Sequence, residues 1–248
     1  MPTFKLTIAY DGTKFSGWQF QPKCRTVQGA VQTAWEQITG EAVQVSATSR
    51  TDAGVHALGQ VVGVNSATHL AADQLYRALN AKLPEDVVLV AIEEVAAGFH
   101  ATRDAVGKRY RYRIHNERTR PLFDRNFVWH VPQSLDVDMM QRAGQALVGT
   151  HDFVSFQAAG SERESTVRTI TVVQVRRCLR ELSSSVLIDV EGDGFLYNMV
   201  RIIVGSLVEV GVGRREEQWL AEALAARDRR AAGKTAPPQG LCLFHVYY

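Results

Sequence analysis

The order of hydrophobic periodicities along the first hundred residues constrains the fold more than any other feature. Thr3–Tyr10 alternates apolar and polar residues, with Phe4, Leu6, Ile8 and Tyr10 on one side, the period of a half-buried strand. Asp11-Gly12-Thr13 is a turn signal. Thr26 suits the N-cap of a helix over Val27–Thr39, whose Val27, Ala30, Val31, Ala34 and Ile38 recur at helical spacing, and Gly40 ends it. Ala42–Ala47 and Val61–Val64 are apolar, β-branched runs of strand character. Leu70–Leu83 reads as a second helix closed by Pro84, and Val87–Val95 as a strand. The order β-α-β-β-α-β predicts an antiparallel sheet with both helices on one face, the ferredoxin-like or RRM-like plan.

The remainder repeats that order without an evident sequence repeat. Arg109–His115 is a strand with Tyr110, Tyr112 and Ile114 on one side and Arg109, Arg111 and Arg113 on the other. A helix is expected over Asp136–Val148, strands over Thr166–Arg176 and Val186–Glu191, a strongly apolar helix over Phe195–Val210, a charged helix over Glu216–Ala226 and a last strand over Leu241–Tyr247. Gly149–Phe156 reads as a compact aromatic loop, 161–165 as a polar connection, and Gly233–Gly240, with Pro237-Pro238, as the approach to the last strand. The expectation is an α+β chain of two halves, residues 1–104 and 105–248, each with an antiparallel sheet.

Between the second and third expected strands lies Ser49-Arg50-Thr51-Asp52-Ala53-Gly54-Val55-His56-Ala57-Leu58-Gly59-Gln60. A simple hairpin needs only a few turn residues, and this stretch carries Arg, Asp, His and Gln. Arg50 and Asp52 are two apart, so in an extended segment they share a side while Thr51 points away. The bland alternative is a connection with a solvated ion pair, which contributes little. A second stretch, Phe15–Pro22, is rich in aromatic and amide side chains, suited either to stack on bases or to pack against the domain.

Net charge is only +2 over 248 residues, but its distribution is uneven. Between Ala101 and Arg125 eight basic residues face three acids. Arginine suits bidentate phosphate contacts and stacking on bases, and Tyr110 and Tyr112 interleave with Arg109, Arg111 and Arg113, the pattern of a nucleic-acid surface. A solvated strand face is the competing reading. Cys24, Cys178 and Cys242 are far apart and show no metal-ligand spacing, and the seven histidines form no zinc pattern. Neither a metal nor a cofactor is expected. No apolar run reaches the length of a membrane span and the first residues do not resemble a signal peptide, so a cytoplasmic protein is expected. Gly107-Lys108 and Gly192-Asp193-Gly194 lack the remaining residues of phosphate-loop and dinucleotide motifs. In the apolar stretch from Phe195, Arg201 requires an anionic partner or a path to water, because an unpaired buried charge is costly. Asp52 is one candidate partner, and a cation beside it favours the ionised carboxylate that a nucleophile needs.

These segments together resemble the tRNA pseudouridine synthase A family: Tyr10-Asp11-Gly12 with Phe15-Ser16-Gly17-Trp18-Gln19, Arg50-Thr51-Asp52-Ala53-Gly54-Val55-His56-Ala57, Phe99-His100-Ala101, Lys108-Arg109-Tyr110-Arg111-Tyr112, Gly149-Thr150-His151-Asp152-Phe153, Phe195-Leu196 with Met199-Val200-Arg201, and Pro237-Pro238-Gln239-Gly240-Leu241. The resemblance runs in order over nearly the whole chain. It implies a pseudouridine synthase fold around a central basic cleft, and isomerisation of uridine to pseudouridine at positions 38, 39 and 40 of the tRNA anticodon stem-loop by a homodimer without metal or organic cofactor. It implies Asp52 as catalytic aspartate, Tyr110 as active-site tyrosine and Arg201 as the aspartate's partner. Arg50, with Arg109, Arg111 and His56, is expected on the substrate side. The sequence departs from the family pattern at Phe99-His100-Ala101-Thr102-Arg103, which leaves the role of Arg103 open.

Two rival functions differ in kind. A catalytically inactive RNA-binding protein with two RRM-like halves explains fold and charge but not the Arg-Thr-Asp loop or Arg201. A glycoside hydrolase needs two placed carboxylates, and only one convincing acid is present.

Overall fold

The structure is a computed structural model that describes residues 1–160, 165–180 and 183–248. In chain order its elements are β1 (Thr3–Tyr10), α1 (Val27–Thr39), β2 (Val45–Ala47), β3 (His56–Asn65), α2 (Ala72–Lys82), β4 (Val87–Val95), β5 (Gly107–His115), β6 (Trp129–His130), α3 (Val137–Gln145), β7 (Gly149–Asp152), β8 (Val167–Arg180), β9 (Ser183–Gly192), α4 (Met199–Gly211), α5 (Trp219–Ala226) and β10 (Leu241–Tyr247). The mixed α+β class follows directly. The polar connection expected at 161–165 lies, apart from Ser165, outside the described residues. No helix among the described residues is long and apolar enough to cross a membrane.

The chain forms two compact units, Met1–Val106 with Cys242–Tyr248, and Gly107–Leu241. In the first, β1 pairs antiparallel with β3 on one side and β4 on the other, and β2 pairs antiparallel with β3. Phe4, Leu6, Ile8 and Tyr10 are buried on one face of β1, as the alternation predicts. The ring of Phe4 lies 5.8 Å from that of Trp35, which seats α1 on this face. Thr26 caps α1 by accepting the Gly29 N–H, and Gly40 closes it in the left-handed conformation. Because β2 is only three residues long, it covers β3 at Val62–Val64 and leaves the stretch at His56–Ala57 open. Cys242 and Leu243 fill that place as a parallel partner. This corrects the assignment of residues 242–248 to the second half, since pairing to a distant strand leaves no mark on local periodicity.

In the second unit β5, β9, β8 and β7 pair in that order, all antiparallel, and β6 adds in parallel to β5. The loop expected at Gly149–Phe156 resolves into β7 and a 3-10 turn over Val154–Phe156, with Phe153 and Phe156 fully buried. The apolar helix starts at Met199 rather than Phe195. Asn198 stands before it at φ 59°, in the left-handed region, which Asn tolerates better than most residues. Nearly all of α4 is buried, the pattern of a helix enclosed on all sides. The segment 233–236 crosses it closely: the Gly233 N–H donates to Ser206 Oγ at 2.9 Å, and the Ala236 N–H to the Arg201 carbonyl at 3.0 Å. A Cβ on Gly205 would fall 1.8 Å from the Lys234 carbonyl oxygen. Gly205→Ala is therefore expected to displace this crossing and lower stability by about 1–3 kcal/mol, read as a fall in melting temperature.

Candidate active site

The loop that carries Asp52 is shorter than the sequence suggests. His56–Gln60 already belongs to β3, which leaves 48–55 as the connection. Its backbone is held from both ends. Gln60, fully buried, accepts the Ser49 N–H at 3.2 Å and donates to the Ser49 carbonyl at 2.6 Å. The Trp18 N–H donates to the Thr51 carbonyl at 3.0 Å, and Tyr10 Oη lies 2.7 Å from Thr51 Oγ1. A turn closes where the Val55 N–H meets the Asp52 carbonyl at 3.1 Å. Thr51 is buried, Asp52 is half-buried and Arg50 is exposed. Thr51 anchors the tripeptide, and its neighbours on either side are more exposed than it is.

The first turn of the chain supplies the rest of the clamp. A Cβ on Gly12 would fall 2.0 Å from the Val55 carbonyl oxygen, so only glycine permits this approach. The Gly12 N–H donates to His56 Nδ1 at 3.0 Å, and Asp11 Oδ1 stands 3.2 Å from the same nitrogen. His56 is 6% exposed. Of the aromatic residues before α1, Phe15 and Trp18 are buried and Phe20 is exposed. Packing wins over stacking for the first two. Arg103 is exposed and reaches the Gly98 carbonyl at 2.9 Å and Asp104 at 3.2 Å, which ties it to its own turn.

Thr48, buried at the root of the loop, belongs to a hydrogen-bonded knot that the sequence did not announce. Its hydroxyl lies 2.8 Å from Tyr248 Oη, and Tyr248 Oη donates to the Ala101 carbonyl at 2.7 Å. Burial pushes the Tyr248 phenol up to about 12, with the Thr48 hydrogen bond acting in the opposite sense.

In the second unit Tyr110 is buried on β5, its ring 5.3 Å from Phe195 in an edge-on contact. Tyr112, on the same face, donates to the Pro237 carbonyl at 2.7 Å, and burial raises its phenol while the charge of Arg201 acts to lower it. Arg201 is half-buried at the start of α4. Its Nε donates to the Ala236 carbonyl at 2.7 Å and its Nη1 to Asn198 Oδ1 at 2.6 Å. The unusual backbone of Asn198 and the 233–236 crossing thus aim one guanidinium.

The arginine face of β5 differs from the expectation. Arg109 sits opposite Glu191 in the ladder and forms an ion pair with it. Arg111 sits opposite Asp189 and binds it through two contacts, at 2.7 and 3.0 Å, with Arg176 a further 3.7 Å from the same carboxylate. Arg113 reaches Asp124 at 3.2 Å. Asp189 is 3% exposed, and a buried carboxylate demands such partners. The stripe expected to hold phosphates is largely neutralised by acids distant in sequence. No cluster of three or more His, Cys, Asp or Glu among the described residues is arranged to hold a metal ion.

The sequence model of one family, described as tRNA pseudouridine synthase, matches residues 6–102 and 143–248. The chain belongs to this family. Proteins called tRNA pseudouridine synthase A are similar over its full length. The protein of Brevibacillus brevis is 47% identical over 248 residues, covering all of both chains. That of Acetivibrio thermocellus is 45% identical over the same span, again covering both. That of Myxococcus xanthus is 45% identical, covering this chain and 92% of its own length. In this family member, Asp52, the clamp residues Tyr10, Gly12, Trp18 and Gln60, and Arg201 all fall inside the matched segments. Tyr110, Arg109 and Arg111 fall in the stretch between them.

Two outcomes test the clamp. Gln60→Leu leaves the Ser49 N–H and carbonyl buried and unpaired, and is expected to cost about 2–4 kcal/mol, measured by urea unfolding. The raised Tyr248 phenol binds its proton more tightly in the folded chain than the ordinary value near 10 allows. Its contribution is complete below pH 10 and is lost as pH rises toward about 12. Tyr248→Phe is expected to lower stability by about 1 kcal/mol at pH 8 and to flatten this part of the alkaline loss, read from unfolding curves at pH 8 to 11.

Proposed function

We propose that the chain isomerises uridine to pseudouridine in tRNA, at positions 38, 39 and 40 of the anticodon stem-loop, acting as a homodimer of subunits with two ferredoxin-like halves. The observation that carries this reading is the held loop: its backbone is fixed at Ser49, Thr51 and Val55 while the Asp52 side chain remains partly open. A carboxylate on an immobilised loop suits a step in which position and ionisation are set before substrate arrives. The reaction breaks the N1–C1′ bond, turns the base and joins C5 to C1′. The C5 proton leaves and N1 takes one up, so no outside group or electron is needed. Asp52 acts as the nucleophile, at the sugar or at the base. Tyr110 packs on the uracil and Arg201 supplies the cation that keeps the aspartate ionised. The target base has to leave its stack to reach them. Arg50, exposed beside Asp52, contacts the RNA. Arg109 and Arg111, engaged by Glu191 and Asp189, serve the substrate by fixing β5.

Tritium release from tRNA labelled as [5-³H]uridine, in excess chelator, tests the reading. Wild type is expected to release label, Asp52→Asn to lose more than about 10³-fold in rate, and Arg201→Lys about 10²-fold because a point charge replaces a planar fork. Binding without release by wild type on several tRNAs would instead establish an RNA-binding protein without this activity.

A further inference from the structure

The neutralised arginines of β5 leave open where positive charge stands unopposed in the second unit. It stands in the connection from β5 to β6. Arg118, Arg120 and Arg125 are exposed, and Arg118 and Arg120 have no side-chain partner among the described residues. Nearby acids are occupied: Asp124 reaches Arg113, and the Glu117 carboxylate accepts the Ser184 N–H. At the tip Phe123 is 89% exposed and Leu122 68%. Phe123 is the most exposed of the large hydrophobic side chains among the described residues.

This tip is mounted on an ordered base. His115 Nε2 donates to the Thr119 carbonyl and His130 Nε2 to the Glu117 carbonyl, each at 2.9 Å, with the two rings 5.6 Å apart. Arg125 Nη1 donates to the Leu122 carbonyl at 2.7 Å, and the Phe127 N–H to the Asp124 carbonyl at 2.8 Å. The loop therefore presents an aromatic ring between cations with little ordering left to do on binding. The whole connection lies in the stretch 103–142 that the family model does not match.

We propose that the 118–125 loop is an RNA contact, in which Phe123 stacks on an unpaired or splayed base and Arg118 and Arg120 hold the flanking phosphates. A ring between unopposed cations fits a single-stranded or loop nucleotide, whose flat face and phosphates it meets together. A protein interface is the weaker fit, because interface cores are depleted of charge. From Tyr110 to His115 is five residues of strand, about 17 Å, so the stacked base lies several nucleotides from the uridine at Tyr110. The inference deepens the tRNA reading and rests on it for the choice of RNA.

The test uses full-length protein and an unmodified tRNA transcript. Phe123→Ala is expected to weaken binding about tenfold and to raise KM in the same ratio, with Phe123→Trp restoring both. Arg118→Ala/Arg120→Ala is expected to flatten the dependence of log affinity on log salt by about 1.4, the release of counterions from two phosphates of a single strand. Both variants are expected to melt with wild type, because the replaced side chains are exposed. Unchanged affinity and unchanged salt slope overturn the proposal. So does a Phe123→Ala variant that binds RNA normally but sediments differently, which assigns the loop to a second copy. Absence of tritium release by wild type defeats the enzymatic reading alone, since binding and salt slope are measured without turnover.

Discussion

The contact on which the first unit's candidate site depends is the buried pair between Gln60 and the backbone of Ser49. A fully buried amide that both donates and accepts stays where its two partners are, because leaving either unpaired costs a desolvation penalty. It ties the root of the Asp52 loop to β3. From there the constraint passes outward: Tyr10 and the Trp18 N–H fix Thr51, and Gly12 fits under Val55 with no room for a side chain. Asp52 lies at the end of this chain of supports. A carboxylate on such a loop has few conformations to lose when substrate binds.

The second unit uses a different device for its cation. Arg201 stands at the first turn of a buried helix, directed by Asn198 on one side and by the Ala236 carbonyl on the other. Asn198 accepts a left-handed backbone to do so, a conformation that surrounding packing must maintain. The 233–236 crossing holds the other side of the guanidinium, and Gly205 allows that crossing to lie close.

Charge distribution carries a separate lesson. The four basic residues of β5, Lys108, Arg109, Arg111 and Arg113, look in sequence like a basic surface. Antiparallel pairing puts Glu191 opposite Arg109 and Asp189 opposite Arg111, so the charges cancel across the ladder. The residues that keep their charge exposed lie in the loop beyond the strand, where no partner strand delivers an acid.

Much of this protein is written locally. The alternation of Phe4, Leu6, Ile8 and Tyr10 sets β1, Thr26 and Gly40 set both ends of α1, and β4 and β10 follow the limits their periodicity gives. Asp52 also stands out without any structure, through the density of polar chemistry in one connection. Each of these signals depends on neighbours within a few residues, and sequence order alone preserves them. Tertiary structure decided what depends on distant partners: the parallel pairing of Cys242 and Leu243 beside β3, the burial of Phe15 and Trp18, the Tyr248 knot under Thr48, and the neutralisation of Arg109 and Arg111. A side chain's type is fixed by the sequence, but its free charge and exposure are set by whichever residue the fold brings opposite it.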